Sequence, residues 1–401
     1  MSEVLALRPS AGPWLREKLL LGHGLRDYLR SLANPADLLS LALLVVGIPI
    51  LVARFAFGLG AVTNLSQQTP WGLWIGFDML CGVALAAGGF TLAAAVHLLG
   101  VKEYAAVVRP AVLTGFLGYV FAVLGLLADL GQPWRVWYPI AVSFGTTSVM
   151  FEVGWCVLLY SAVLFLEFSP ALFEWLGLRG WARNVARLTV GLTAAGVVLS
   201  TLHQSSLGSL FLLAPERLHP LWYSSLLPVF FFVSAIAAGL CMVIVESSLA
   251  HRLFRDRLGR APEDLDRLVL GLGKGAALVL FSYFFLRLQG LAAGGHFDLL
   301  ATPWGTLFLV EVVGLALVPC LLLVDGVRRG DAGRVRFAAG LAVVGIVMNR
   351  LDVSVVAFDW AAPVHYVPTW MEFVVSLTLV SLGLQVYRFI VNRMDVLGRT
   401  A

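Results

Sequence analysis

Ten stretches of about 20 mainly apolar residues, set apart by short loops, require this chain to cross a lipid bilayer repeatedly. In hydrocarbon every backbone N–H and C=O must be paired within the protein, and runs of this length achieve that as α-helices. The runs are 38–58, 72–99, 110–130, 146–168, 187–207, 221–249, 267–289, 303–325, 336–356 and 369–391, numbered spans 1 to 10. Composition agrees: 59% of the 401 residues are hydrophobic and 13% charged, where a soluble domain carries about 25% charged residues. Mean hydropathy over the whole chain is +0.88, so the apolar surplus is global. The predicted fold class is an all-α polytopic membrane protein with ten transmembrane helices. They form two four-helix bundles, spans 2–5 and spans 6–9, plus flanking helices. The expected organisation is an N-terminal segment at 1–37, a membrane domain at 38–391 with bundles at about 70–207 and 220–356, and a tail at 392–401.

Charge sets the expected orientation. Of the 28 Lys and Arg, 22 fall in the N-terminal segment, the C-terminus and the loops on one side. Among them are Arg8, Arg179, Arg183, Arg187, Arg255, Arg257, Arg260 and Arg399. Three lie on the other side (Arg135, Arg217, Arg350) and three within spans (Arg54, Lys274, Arg287). By the positive-inside rule both termini are cytoplasmic. The basic residues sit in short loops between apolar runs, so no nucleic-acid partner is expected. Trp14 to Leu32 reads as one basic amphipathic helix on the membrane surface. The opposite loops are rich in Trp, Tyr and Pro (Trp71, Trp134, Trp137, Trp222, Trp304, Trp360, Trp370), which suits a docking surface or the cover of a ligand pocket. No early apolar run before a cleavage site reads as a signal peptide. Cys81, Cys156, Cys241 and Cys320 lie far apart inside apolar runs. Iron–sulfur clusters and structural zinc need clustered thiolates, so neither is expected.

Ionisable residues inside a membrane are expensive and mark function by default. Asp78 lies seven residues past Trp71 on span 2, about 10 Å below the interface at the 1.5 Å helical rise. Glu152 enters span 4 by a similar distance, Asp129 ends span 3, and His203 with Gln204 sits near the outer end of span 5. Four adjacent helices with short loops pack together, so these groups are expected to converge on one pocket; taken singly, each also suits a hydrogen-bonded structural residue. The second half echoes this: Thr302-Pro303-Trp304-Gly305 opens span 8 as Thr69-Pro70-Trp71-Gly72 opens span 2, and Glu311 follows Trp304 as Asp78 follows Trp71. Arg287 could neutralise Glu311 or Glu372 in a structural ion pair, or these acids could carry protons. His97, Glu246 and His251 mark inner ends of spans. A membrane b-type cytochrome needs facing pairs of His; His97 and His203 lie toward opposite sides and His251 at a rim, so no haem is expected. No P-loop, GxSxG, HExxH or dinucleotide fingerprint appears in context.

PWGLWIGFD (70–78), VRPA (108–111), LEFSPALFEWLG (166–177), TLHQSSLGSL (201–210), HPLW (219–222) and PTWMEF (368–373) resemble the NrfD/PsrC family of quinone-interacting membrane subunits nearly end to end. Within it the chain is most similar to the ten-span HybB type of hydrogenase-2 complexes. The resemblance implies a subunit of the bacterial inner membrane without haem or metal. Such a subunit takes electrons from a periplasmic, ferredoxin-like iron–sulfur subunit, itself joined to a catalytic subunit pair, and passes them to menaquinone or ubiquinone. It carries functional roles onto Asp78, His203, Gln204, Glu152 and Glu372. Where the HybB type has a second acid after the PTW-E motif, this chain has Phe373.

Quinone reduction needs donors for two carbonyl oxygens, groups that deliver two protons, and apolar walls. Asp78, His203, Gln204, Trp71 and Trp74 are the expected quinone-binding set, with Glu152, Asp129, Glu311 and Glu372 as the proton relay. A secondary transporter is the competing class, since ten spans and buried acids suit one; Pro228 and Pro319 are its candidate helix interruptions. A purely structural anchor for a redox partner is a third.

Overall fold

The computed structural model describes residues 11–31, 34–254, 262–358, 360–362 and 365–397. Arg8, Arg255, Arg257, Arg260, Arg399 and Leu32 lie outside them. Among the described residues ten helices are long and apolar enough to cross a membrane: Pro35–Phe57, Trp74–Leu98, Lys102–Asp129, Val149–Leu176, Thr189–Leu213, Leu227–Leu253, Glu263–Gly294, Pro303–Arg329, Ala332–Val356 and Trp370–Arg393. The chain is a multi-pass membrane protein. The observed helices match the ten predicted runs, but several overshoot them. Spans 3 and 4 continue through Pro110 and Pro170 past the length that hydropathy alone marks.

Local chemistry explains the ends. Asn34 accepts a hydrogen bond from Asp37 N at 3.0 Å ahead of Pro35, capping span 1. Thr302 caps span 8 in the same way, again before a proline. Thr369 and Glu372 form a reciprocal capping box on span 10. Span 4 stops at Gly177, whose φ of 81° suits glycine.

Spans 2, 3, 4 and 5 pack as one ring and spans 6, 7, 8 and 9 as another, with spans 1 and 10 paired alongside span 3. The bundles meet where span 6 packs against spans 2 and 5, most tightly where it crosses span 2. A Cβ on Gly239 would lie 2.3 Å from Gly88 N, and one on Gly88 2.8 Å from Gly239 O, so the backbones touch there as small-residue crossings in membranes do. Gly239→Leu is expected to cost at least about 1–3 kcal/mol, read as a lowered melting temperature in detergent. Gly154→Leu, at a position facing open space, is the control.

The N-terminal segment departs from expectation. The single helix predicted over Trp14 to Leu32 is two, Ala11–Leu20 and Leu25–Ser31. The break falls at Leu21 and Gly22, with φ of 55° and 82°: glycine permits the left-handed turn that ends the first helix. Arg393 at the end of span 10 donates to Tyr28 Oη at 2.8 Å and ties the segment down.

Among the described residues four stretches are π-helical: Trp74–Cys81 and Ala94–Leu98 in span 2, Val310–Leu317 in span 8 and Asp352–Val356 in span 9. Asp78 and Glu311, the two acids of the repeated Thr-Pro-Trp-Gly openings, both fall in such stretches, which are frequent at functional sites.

Candidate functional site

The expected residues divide into three polar groups. The first lies at the end carrying the Trp-rich loops, the aromatic end, between spans 1, 2, 3 and 10. Asp78 is buried, and Ser376 Oγ donates to its Oδ2 at 2.5 Å. Span 3 admits it because residue 125 is glycine; a Cβ there would lie 2.6 Å from Asp78 Cβ. Asp129, half-buried at the end of span 3, has an Oδ1 without a protein partner. The charges acting on it are Arg54 and Glu372. Arg54, 2% exposed, donates to the Ala128 and Leu130 carbonyls and so holds that helix end. Glu372 is saturated: its Oε1 accepts from Thr369 N at 3.0 Å and Asn64 N at 3.2 Å, and its Oε2 from the Tyr366 hydroxyl. Burial first, and then that carboxylate, push the Tyr366 pKa up. Trp74 Nε1 donates to the Glu372 carbonyl at 3.2 Å.

The second group lies deeper, within spans 3, 4 and 5. His203 is fully buried against Tyr119, ring centroids 5.5 Å apart, with neither ring nitrogen bonded. Gln204 donates from Nε2 to Val83 O at 3.0 Å while its Oε1 has no partner. Tyr119 meets Tyr160 edge-on at 4.7 Å.

The third group sits in the second bundle. Glu311 pairs with Arg287 at 3.2 Å, and accepts from Trp222 Nε1 at 2.6 Å and Asn349 Nδ2 at 2.7 Å. Arg350 donates to Asn349 Oδ1 at 2.6 Å and Ser234 Oγ at 2.7 Å. Of the two partners expected for Arg287, the structure gives it Glu311.

Asp78, Trp74, Asp129 and Glu372 therefore meet; His203 with Gln204, and Glu311, each stand apart from them. Trp71 turns away, stacking on Phe358 at 5.2 Å and meeting Phe211 edge-on at 5.4 Å. Glu152 is exposed in the first turn of span 4. The buried stripe of that helix is Val153, Cys156, Tyr160 and Leu164, and Glu152 falls off it. Arg54, Ser376, Tyr366, Tyr119 and Tyr160 belong to these groups without having been expected as site residues; of them Arg54, a charge within a span, and Tyr366, one of the aromatics of the outer loops, carried a sequence signal.

His219, in the loop before span 6, stacks on Trp304 at 4.9 Å and meets Trp360 at 4.9 Å. Burial, and then His296, push its pKa down to about 4 from 6.5. Between those values an unfolded chain takes up a proton that the folded one does not, so stability falls as pH drops through that window. The expected slope stays below the roughly 1.4 kcal/mol per pH unit set by one proton. His219→Phe should flatten the melting temperature measured across that range.

Spans and buried acids of this kind define a polytopic membrane protein with a polar site near one end. The sequence profile of the family described as Polysulphide reductase, NrfD matches residues 61–357. The chain belongs to the NrfD family. A protein of Nitratidesulfovibrio vulgaris is 51% identical over 92% of this chain and 96% of its own length. The Escherichia coli protein described as "Probable Ni/Fe-hydrogenase 2 b-type cytochrome subunit" is 34% identical over 88% of this chain and 90% of its own. The integral membrane subunit of a menaquinone reductase of N. vulgaris is 29% identical over 81% of this chain and 83% of its own.

Proposed function

We propose that this chain is the quinone-reactive membrane subunit of a respiratory oxidoreductase complex of the bacterial inner membrane, with both termini cytoplasmic. It accepts electrons at the aromatic end from an iron–sulfur partner and reduces menaquinone or ubiquinone. The observation that carries this reading is the Asp78 group. A buried carboxyl with one hydroxyl partner, a second carboxyl with a free oxygen, and a tryptophan wall lie together beside span 1, whose outer surface is apolar and exposed. A quinone arriving from lipid meets protonatable oxygens there, and an electron donor outside the membrane is close. The likeness to the E. coli hydrogenase-2 subunit supports a periplasmic uptake nickel–iron hydrogenase as the partner; the likeness to the menaquinone reductase subunit favours the second reading, a different NrfD-type oxidoreductase.

The name of the E. coli relative also raises haem. Ligation across a bundle needs two imidazoles facing one gap. His97 Nδ1 lies 3.1 Å from Thr193 Oγ1, His203 lies against Tyr119, and His251 lines a cavity with Glu246 and Pro110. These three imidazoles, within or at the ends of spans, sit in separate surroundings that do not fit a haem across the bundle, which supports a haem-free subunit. Among the described residues no three His, Cys, Asp or Glu side chains gather as metal ligands.

Purification of the tagged chain in mild detergent tests the reading. Co-purified iron and nickel, hydrogen-dependent quinone reduction and no haem band are expected. Iron–sulfur protein without nickel moves the partner to another oxidoreductase. A haem band belonging to this chain sinks the haem-free reading.

A further inference from the structure

We propose that the short helix Arg179–Ala186, which joins spans 4 and 5 at the arginine-rich, basic end of the protein, is a binding site for an anionic phospholipid. The inference does not rest on the quinone-reactive role; it needs only that the chain crosses a membrane. Span 4 stops at Gly177 and span 5 begins at Thr189. The two spans pack side by side, so the helix between them is held where both leave the bilayer. It buries Ala182 alone. At about 100° per residue its side chains sort into two arcs. Arg179 and Arg183, with Arg187 in the turn that follows, share one arc, and all three are exposed. Trp181, Val185 and Leu188 share the opposite arc, where Trp181 is 64% and Leu188 61% exposed. The Trp181 ring leans on Phe173 of span 4, centroids 6.2 Å apart, and so keeps its outward position.

These arginines have no acid of their own. Residues 177–188 include no Asp or Glu, and among the described residues no carboxylate pairs with any of the three. Glu174, the acid just ahead of them, faces Arg109 at 3.4 Å. The turn between spans 8 and 9 shows the other arrangement: Arg329 and Arg334 both reach Asp325, and Arg334 lies 3.6 Å from Asp331. Orientation in the membrane is set by the number of basic residues, whatever their disposition. Here they occupy one arc of a helix whose other arc is apolar and exposed, the division of a helix that lies along a bilayer surface. Trp181 and Leu188 then reach the acyl chains, while the arginine forks meet phosphate oxygens in paired hydrogen bonds. Cations without a counter-charge favour a headgroup of net negative charge over a zwitterionic one. An acidic protein surface would answer the arginines but leave Trp181 and Leu188 uncovered on the opposite arc. A lipid bound there braces the corner between spans 4 and 5.

The test uses the full chain with the subunits it brings down, stripped of lipid in detergent and offered phosphatidylglycerol, phosphatidylcholine or inorganic phosphate. Phosphatidylglycerol should raise the melting temperature saturably and stay bound in native mass spectra; the other two should do neither. The combined variant Arg179→Gln, Arg183→Gln, Arg187→Gln should bind it about 100-fold more weakly, given the attraction of each arginine to an anionic surface. Arg179→Lys, Arg183→Lys and Arg187→Lys together should keep most of the binding, and Trp181→Ala should weaken it less than the loss of charge does. Arg26→Gln, Arg30→Gln and Arg252→Gln together remove equal charge from the same end and should leave it unchanged. Equal retention of both lipids, an equal response to inorganic phosphate, or unweakened binding in the combined Gln variant overturns the site. Loss of a partner subunit from that variant with its lipid retained overturns it too, and gives the arginines to a protein. If that variant does not fold, a photoactivatable phosphatidylglycerol decides on the wild-type chain: label within residues 173–190 upholds the site, and label confined elsewhere removes it.

Discussion

Asp78→Asn should lower quinone reduction by the assembled complex about 100-fold or more while leaving assembly intact. The substitution keeps the volume of the side chain and an oxygen to accept from Ser376 Oγ, so the contact at 2.5 Å and the packing on Gly125 survive. What is lost is the ability to give and take a proton, and a positioned general acid–base is worth about 10²–10⁴ in rate. Ser376→Ala removes only the orienting partner and should cost less than tenfold. Measured together on complexes of equal subunit content, the pair separates proton transfer from shape. Equal, small losses in both would make Asp78 a packing residue and shift the reactive site elsewhere, the nearest alternative being Asp129 with its free oxygen.

Why these residues were only partly legible follows from what a sequence encodes. Hydropathy counts residues along a helix, so the ten spans and their packing into two rings with flanking helices could be read from it. It gives depth well and azimuth poorly. Asp78 and His203 were expected in one pocket because they share a depth, yet one faces span 10 through Ser376 and the other faces Tyr119 on span 3. Glu152 has the right depth too, and falls one residue off the buried stripe of span 4. The π-helical stretch at Trp74–Cys81 adds a further rotation that regular 3.6-residue counting misses. By contrast, the repeated Thr-Pro-Trp-Gly opening did find two of the three acids that lie in such stretches, Asp78 and Glu311, while Asp352 carried no such mark. The hydroxyls of Tyr119, Tyr160 and Ser200 carried no signal, since single Tyr and Ser residues in apolar runs are commonplace and only the fold gathers them into one cluster.

Glu311→Ala should be the most damaging single change to the fold. Arg287, Glu311, Arg350 and Asp352 are each no more than 3% exposed, in a bundle where stray charge cannot reach water. Truncation leaves Arg287 without its 3.2 Å partner, and strips Trp222 Nε1 and Asn349 Nδ2 of their acceptor. Breaking a buried pair from one side costs about 3–5 kcal/mol, and is expected as loss of the folded chain from the membrane or a sharply lowered melting temperature. The double variant Arg287→Met with Glu311→Leu removes both charges, and replacing a whole buried pair by apolar side chains is often close to neutral. It should therefore regain most of the stability, and its turnover then decides between the two roles open to the second bundle. A stable double variant that reduces quinone at the wild-type rate makes Glu311 a structural counter-ion. A stable one with turnover lost makes Glu311 a proton carrier in its own right, and the span 8 echo of Asp78 a second working acid.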